Sequence, residues 1–338
     1  MPLTDSIHRA AVIGAGTMGA AIAALLANVG IPVVLLDAVP DKLLPDEEKR
    51  GLTLQHPAVR NRLVRAGLDR CLKASPANFA MPEFAERVTT GNTEDDMAKI
   101  ADADWIIEAI FENLDAKRQL MAKIEAVRKP ESIVSSNTSG LPIHQIGEGR
   151  SADFKAHLLG THFFNPPRYL KLLEVIPTAD TDPAVVAFIK DFAETVLGKG
   201  VVICKDTPNF IGNRIASLSG AFASNTIIEN GYTVEEVDAL TGPLIGNPKS
   251  GTFRLLDIVG LDVAGAVGGN LYDLIPGDES RELLRQPKWA TLRQAMVERK
   301  WLGNKTGQGF YKEMKGAGGQ REFWALDLNT LEYKPPAK

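Results

Sequence analysis

The amino-acid sequence predicts an α/β protein, in which a mostly parallel sheet with an inserted helical hairpin is followed by a smaller all-α domain. Three observations support this class. Short apolar strands alternate with helical segments up to residue 204, and a charged segment with helical spacing interrupts them at residues 40–86. From Asp206 to about residue 312 only helical patterns occur.

The first strands and helix define a βαβ unit. Residues 9–14 form a short buried strand that ends in glycine, and a helix follows over residues 18–28 with Gly30 as its stop. Residues 31–37 form a second strand, apolar on both faces as parallel strands usually are. Because a strand, a helix and a strand follow one another so closely, we expect a parallel crossover. The later elements are strands over residues 87–90, 105–110, 132–136, 158–164, 170–176 and 200–204, and helices over residues 113–128 and 183–197.

These patterns divide the chain into three parts. The first, residues 1–205, carries all the predicted strands and the inserted hairpin. Residues 206–315 form the helical domain, in which Thr233 and Glu236 match a capping box. Residues 316–338 are rich in glycine, then alternate apolar and polar residues, and end after a Pro-Pro pair. We expect them to be a tail rather than the edge of a domain.

Composition excludes several classes of protein. The 38 basic and 42 acidic residues give a net charge of −4, so no global field attracts nucleic acid or an anionic membrane. Two cysteines, Cys71 and Cys204, are too few for a disulfide framework and favour a cytoplasmic location. The apolar run Ala10 to Ala27 is broken by three glycines, so it is better explained by a packed strand and helix than by a signal peptide or membrane span.

The turn after the first strand carries a G-x-G-x-x-G motif. Its residues are Gly14, Ala15, Gly16, Thr17, Met18 and Gly19. Because the motif lies between a strand and a helix, and Asp37 closes the next strand, it predicts a Rossmann-type dinucleotide-binding turn. The helix N-terminus favours phosphates, and Asp37 favours NAD over NADP because it would repel a 2′-phosphate. The alternative is a glycine turn that binds nothing.

His162 is a candidate general base. Glu174 lies on the next predicted strand, so the two side chains meet if the strands are neighbours, and the carboxylate then orients the imidazole. From spacing alone, a core histidine satisfied by the backbone and a surface glutamate are the simpler interpretation. His157 and His162 lie on opposite faces of one strand without other ligands nearby, so we expect no metal.

Two polar segments follow buried strands, where an open parallel sheet places its ligands. One is the serine-rich turn at residues 135–140, which could also be an ordinary polar turn. The other contains Glu108, Glu112 and Lys117, for which a solvated charge pattern is the alternative.

Several motifs together resemble the L-3-hydroxyacyl-CoA dehydrogenase family, from about residue 8 to residue 312. They are the glycine motif, Ser-Asn-Thr-Ser at residues 136–139, Gly-Thr-His-Phe-Phe-Asn-Pro-Pro at residues 160–167, Lys-Asp-Thr-Pro-Asn-Phe-Ile-Gly-Asn-Arg at residues 205–214 and Lys-Thr-Gly-Gln-Gly-Phe-Tyr at residues 305–311. The segments at residues 54–60 and 232–243 are most similar to the dehydrogenase part of bifunctional proteins that also carry an enoyl-CoA hydratase.

The resemblance implies NAD-dependent oxidation of an (S)-3-hydroxyacyl-CoA to the 3-ketoacyl-CoA, as in fatty-acid β-oxidation. His162 matches the family's catalytic base and Glu174 its orienting acid, while Ser139 and Asn213 match the residues that hold the substrate oxygen. The remaining matched residues are NAD contacts: Gly14, Ala15, Gly16, Thr17, Met18, Gly19, Asp37, Glu112, Lys117, Asn165 and Lys305.

The resemblance also implies partners. In the family the helical hairpin meets coenzyme A, and four basic residues of this hairpin suit its phosphates: Arg60, Arg62, Arg65 and Lys73. The hairpin departs from the pattern of the short family members, and Gly140 stands where a second hydroxyl often occurs. We expect either a homodimer through the helical domain or packing of that face against a missing C-terminal part. Since the fusion proteins continue into a further helical domain and a hydratase, the resemblance implies that residues 316–338 are a truncated linker and that the chain is the first part of a longer enzyme.

Two other functions stay open at this point. One is a different two-domain hydroxyacid dehydrogenase with a catalytic lysine in its helical domain, against which the pairing of His162 with Glu174 argues. The other is a non-catalytic NAD-binding or assembly fragment of a larger multifunctional enzyme.

Overall fold

A computed structural model describes residues 6–262, 271–285, 287–315 and 319–336. The chain forms two compact units, Met1–Phe210 and Ile211–Lys338. Among the described residues, no helix is long and apolar enough to cross a membrane.

The first unit is built on an eight-stranded sheet. Its strands lie in the order β3-β2-β1-β4-β5-β6-β7-β8, which extends the order of dinucleotide-binding sheets. All neighbouring strands run parallel except β6 and β7, so the expectation of a mostly parallel Rossmann-type sheet is confirmed. The strands are β1 (Ala10–Ile13), β2 (Val33–Asp37), β3 (Val88–Asn92), β4 (Trp105–Glu108), β5 (Ile133–Ser136), β6 (Leu158–Phe163), β7 (Leu172–Pro177) and β8 (Gly200–Ile203).

Helices cover both faces of this sheet. One face packs against α1 and α8 through Ile22, Leu26 and Ile189, and the other packs against α5 through Met121 and Ile124. The central strands are buried on both faces, which explains why the sequence presents them as continuous apolar runs. The helices of this unit are α1 (Thr17–Asn28), α2 (Pro45–Lys49), α3 (Pro57–Arg60), α4 (Arg62–Leu72), α5 (Leu114–Val127), α6 (Ile143–Ile146), α7 (Ala152–Ala156) and α8 (Pro183–Thr195).

The inserted segment at residues 40–86 is helical, but it is not a simple two-helix hairpin. Its first arm is divided into α2 and α3, and only α4 is a helix of three turns. The division has a local cause, because Pro45 and Pro57 each occupy the first position of a helix and so start a new one. Gly67 brings α4 into close contact with the glycine turn, since a Cβ there would lie 2.1 Å from the carbonyl oxygen of Ala15.

The second unit combines helices with a small sheet. Its core contains Phe253 and Phe310, whose ring centroids lie 4.5 Å apart, with Trp289 packed alongside. The helices are α9 (Gly212–Asn230), α10 (Val234–Thr241), α11 (Phe253–Val259), Leu271–Leu274 and Pro287–Glu298.

The expectation of a smaller helical C-terminal domain is confirmed, but in the described part of the chain a small sheet follows its helices, so residues 319–336 are not the expected tail. Strands β9 (Tyr311–Lys315), β10 (Arg321–Leu326) and β11 (Tyr333–Lys334) form an antiparallel sheet in which Ala325 pairs with Tyr311. Ala325 and Leu326 are buried in the core of the second unit, so the alternating segment is a half-buried strand. Residues 316–318, 337 and 338 lie outside the described residues.

Candidate active site

The glycine turn follows β1 at the carboxyl edge of the sheet. Gly14 has φ +106°, and a Cβ there would lie 2.4 Å from the carbonyl oxygen of Ala109, so only glycine fits. Gly19 lies against the carbonyl oxygen of Gly14, which allows α1 to pack closely on β1. At these two positions the geometry of the local backbone requires glycine.

Gly16 is exposed, and a different reason explains why this position is a glycine. A Cβ at this position would meet no described atom within 4 Å, so local packing does not demand a glycine there. Gly16 is the N-cap residue of α1, and no side chain of the described structure caps the first turn of this helix. Open space over the backbone and an uncapped helix N-terminus fit the pyrophosphate of a dinucleotide.

Asp37 ends β2 and contacts the glycine turn directly. Its Oδ2 accepts a hydrogen bond from the backbone N–H of Ala15 at 2.9 Å, and its Oδ1 accepts one from Ala38 at 2.7 Å. The carboxylate is therefore fixed beside the turn, where the ribose of a dinucleotide lies in this fold.

His162 and Glu174 form a buried pair. They lie opposite each other in the antiparallel register of β6 and β7, and His162 Nδ1 is 2.7 Å from Glu174 Oε2. His162 is 4% exposed and Glu174 is 1% exposed. The predicted meeting of the two side chains is confirmed, and the surface glutamate of the simpler interpretation is wrong. Because a carboxylate only accepts, Nδ1 donates, and Nε2 is the nitrogen with a lone pair.

Aromatic rings enclose the imidazole. The ring of Phe164 lies 4.5 Å from that of His162, and the ring of Phe210 lies 5.8 Å away, both measured between centroids. These rings limit water around the histidine, which strengthens its electrostatic contact with Glu174. The site therefore holds an imidazole that is oriented by Glu174 and shielded by two aromatic rings.

The serine-rich turn after β5 is held by Glu112. Glu112 Oε1 accepts a hydrogen bond from the backbone N–H of Ser139 at 3.1 Å and another from the hydroxyl of Thr138. Lys117 Nζ lies 3.3 Å from Glu112 Oε2. The structure therefore brings three of the predicted site residues, Glu112, Lys117 and Ser139, into one cluster.

The interpretation of this acidic and basic pattern as solvated is wrong for Glu108 and Lys117. Their side chains are 0% and 1% exposed, and Lys117 Nζ lies 2.6 Å from Glu108 Oε1. None of the motifs predicts a role for Glu108, although it closes one buried strand as Ser136 closes the next. Two polar strand ends on neighbouring parallel strands were the signal that could have identified the pair.

Lys199 is a second residue that sequence reasoning missed. It is 7% exposed, and its Nζ donates hydrogen bonds to the carbonyl oxygens of Pro167 and Leu170, in the loop that follows His162. Burial lowers the pKa of Lys199 to about 8. Asn165 lies exposed in the same loop.

Two of the four basic residues expected to suit coenzyme A already have acidic partners. Arg60 bonds to Asp95 at 2.6 Å and to Glu94 at 2.8 Å, and Arg62 pairs with Glu47. The expectation needs correction for these two, because a paired guanidinium offers less charge to a phosphate. Arg65 and Lys73, in contrast, are exposed.

Asn213 and Lys305 belong to the second unit. Asn213 lies in the first turn of α9, and Lys305 lies in a 3-10 turn over Asn304–Thr306, where its Nζ pairs with Asp262. Their roles toward substrate and NAD stay predictions.

The fold and the site together define the class of protein. A parallel sheet in this strand order, with the glycine turn and Asp37 at its carboxyl edge, is that of a dinucleotide-binding protein of the Rossmann type. Two family models match the chain: "3-hydroxyacyl-CoA dehydrogenase, NAD binding domain" over residues 9–207 and "3-hydroxyacyl-CoA dehydrogenase, C-terminal domain" over residues 210–313. The chain belongs to the 3-hydroxyacyl-CoA dehydrogenase family of oxidoreductases, its cofactor is NAD, and the resemblance found in its motifs is confirmed.

Relatives agree with this membership. A Bacillus subtilis protein named "Probable 3-hydroxyacyl-CoA dehydrogenase" is 51% identical over 97% of this chain and 40% of its own length. A protein of the same name from Deinococcus radiodurans is 49% identical over 91% of this chain and 84% of its own length. The crystal structure of (S)-3-hydroxybutyryl-CoA dehydrogenase from Ralstonia eutropha superposes with a TM-score of 0.68 at 28% identity, covering 90% of this chain and 98% of that one. The chain thus spans less than half of the Bacillus relative.

Proposed function

We propose that this chain catalyses the reversible oxidation of (S)-3-hydroxyacyl-CoA to 3-ketoacyl-CoA with NAD, as in fatty-acid β-oxidation. The buried pair of His162 and Glu174 carries the proposal. It lies at the carboxyl edge of the sheet whose first turn suits a dinucleotide, where an open α/β sheet holds its ligands. The names of the relatives support the same substrate class.

His162 acts as the general base. Its Nε2 accepts the proton of the substrate 3-hydroxyl, and Glu174 stabilises the imidazolium that forms because the Nδ1 proton already points at its carboxylate. NAD, when bound, supplies the acceptor for the hydride that leaves C3. In the reverse direction His162 returns the proton to the oxygen.

Ser139 and Asn213 hold the substrate oxygen in this proposal, and hydrogen bonds at that oxygen favour the charge that develops on it. Gly14 to Gly19 and Asp37 hold the pyrophosphate and the ribose. Glu112, Lys117, Asn165 and Lys305 complete the NAD contacts.

The remaining partners also belong to the proposal. Arg65 and Lys73 are the basic residues of the insertion that stay candidates for the phosphates of coenzyme A. A cytoplasmic location is supported by Cys71 and Cys204, which are buried and form no disulfide. Two further expectations stay predictions: the likeness to the dehydrogenase part of fusion proteins and a homodimer through the second unit. Light scattering measures the oligomeric state.

An absorbance assay at the nicotinamide wavelength tests the proposal. Purified protein with NADH should reduce acetoacetyl-CoA, and it should not reduce acetoacetate without coenzyme A. Oxidation of 3-hydroxyisobutyrate or 6-phosphogluconate instead would indicate the other kind of two-domain dehydrogenase. NADH binding without turnover of any of these substrates would indicate a non-catalytic fragment.

A further inference from the structure

Glu108 is a fully buried carboxylate at the end of β4, and three groups surround it. Its Oε1 lies 2.6 Å from Lys117 Nζ and accepts the backbone N–H of Ile110 at 2.7 Å, while its Oε2 accepts the hydroxyl of Ser136. A buried charge is costly unless it is paired and hydrogen-bonded in this way. Glu108 thereby links α5 to the end of β5.

The Lys117 ammonium also contacts Glu112, so it connects Glu108 with Glu112. It lies between two carboxylates, 2.6 Å from Glu108 Oε1 and 3.3 Å from Glu112 Oε2. Glu112 in turn accepts the backbone N–H of Ser139 at 3.1 Å. The placement of Ser139 therefore depends on a continuous set of charged contacts that begins at Glu108.

The same turn is tied to the histidine strand on its other side. Asn137 Oδ1 accepts the backbone N–H of Phe163, the neighbour of His162, at 2.9 Å. The backbone N–H of Thr138 bonds to the Ser136 hydroxyl at 3.2 Å. The serine-rich turn is thus held between Glu108 and the strand that carries His162.

We propose that Glu108 is a positioning residue for the reaction. It fixes the Lys117 ammonium and the Ser136 hydroxyl, and through them it sets Glu112 and Ser139 relative to His162. This inference rests on the proposed function for its effect on turnover, and on the structure alone for its effect on the serine-rich turn. An apolar residue at position 108 would leave the buried Lys117 ammonium with Glu112 alone and the Ser136 hydroxyl without its acceptor, which costs stability because one partner of a buried ion pair is lost.

Two variants and one control test the proposal. Glu108→Gln removes the charge at nearly constant size, and Ser136→Ala removes only the hydroxyl that joins Glu108 to the turn. Glu125→Gln is the control, because Glu125 lies on α5, the helix that carries Lys117, and pairs with a different basic residue, Arg150, at 2.8 Å. The readouts are amide hydrogen exchange at residues 137–141, the Kd for NADH, kcat with acetoacetyl-CoA, and the melting temperature.

Both variants should exchange amides at residues 137–141 about tenfold faster or more, because local opening is easier without those bonds. Both should lower kcat about ten- to a hundredfold, as expected when a reacting group is misplaced. Glu108→Gln should also weaken NADH binding because Lys117 is released, whereas Ser136→Ala should leave the NADH Kd unchanged. Glu125→Gln should match wild type in exchange of this turn, NADH binding and kcat.

Unchanged exchange at residues 137–141 in Ser136→Ala would overturn the proposal, as would unchanged kcat in a folded Glu108→Gln protein. Ser136→Ala keeps the buried ion pair, so it decides the matter if Glu108→Gln does not fold. If wild type does not turn over acetoacetyl-CoA, the proposed function fails separately, and exchange and NADH binding still decide the role of Glu108.

Discussion

His162 and Glu174 lie directly opposite each other on antiparallel strands, with His162 Nδ1 2.7 Å from Glu174 Oε2. The register of the sheet creates this contact, because a slip of one residue would turn Glu174 to the opposite face. A histidine and a glutamate that would each be costly to bury alone satisfy each other there. The pairing of β6 with β7 is therefore the structural basis of the proposed chemistry.

Replacement of Glu174 by Gln should lower kcat by about two to four powers of ten, the scale of general base catalysis, because an amide does not stabilise the imidazolium. The Kd for NADH should stay at the wild-type value. Glu194→Gln serves as the control, since Glu194 is an exposed residue of α8 that pairs with Lys190. Full turnover in Glu174→Gln would show that the carboxylate is not needed.

Two glycine variants should separate folding from NAD binding. Gly16→Ala meets open space, so its melting temperature should equal that of wild type while the NADH Kd rises about tenfold or more, because the methyl group occupies the phosphate position. Gly14→Ala should destabilise the protein by about 1–3 kcal/mol or more, because its φ is +106° and Ala109 blocks a Cβ. Titration of NADH and thermal melts measure both effects. Tight NADH binding by a folded Gly16→Ala protein would contradict the placement of the pyrophosphate.

Leu326→Ala should destabilise the second unit by about 2–5 kcal/mol, because Leu326 is 2% exposed in its core. Leu244→Ala should change stability by less than about 0.5 kcal/mol, since Leu244 is 74% exposed. Chemical denaturation of the two variants measures the difference. If the segment that contains Leu326 were a tail outside the domain, the two substitutions would have equally small effects on stability.

The second unit should lose stability as pH rises through a window that Asp257 sets. Burial raises the pKa of Asp257 to about 6, against backbone hydrogen bonds from Phe310 and Tyr311 that lower it. Between the ordinary value near 4 and this value, the folded state binds more protons than the unfolded state. The contribution of Asp257 to the free energy of unfolding is therefore fully present below about pH 4 and is lost as pH rises through 6. The loss is at most about 1.4 kcal/mol per pH unit.

Asp257→Asn removes this titration. The free energy of unfolding of wild type, measured relative to the variant by urea denaturation at several pH values, should fall between about pH 4 and pH 6. Parallel curves for the two proteins would contradict a raised pKa at this position.

Local patterns predicted much of the first unit. The strands that became β1, β2 and β4 are apolar runs because both of their faces are covered, and the glycine turn is recognised by its neighbours in the chain. The contact between His162 and Glu174 could be predicted only on the assumption that their two strands are neighbours in the sheet.

Tertiary contacts decided the rest. The alternating residues of β10 were visible in the sequence, but their partner β9 overlaps a motif that was interpreted for function, so the pairing was missed. The sequence predicts solvent or ligand contacts for Arg60 and Lys117 because the ion pairs that they form in the fold leave no periodic pattern. Such pairs depend on side-chain positions that the fold alone determines.

The central claim is that His162 is the general base of an NAD-dependent 3-hydroxyacyl-CoA dehydrogenase, and the turnover of His162→Gln with acetoacetyl-CoA and NADH tests it most directly. The predicted result is a kcat about two to four powers of ten below wild type with an unchanged NADH Kd. His144→Gln should keep full activity, since His144 forms an exposed pair with Asp206. Wild-type turnover in His162→Gln would contradict the claim.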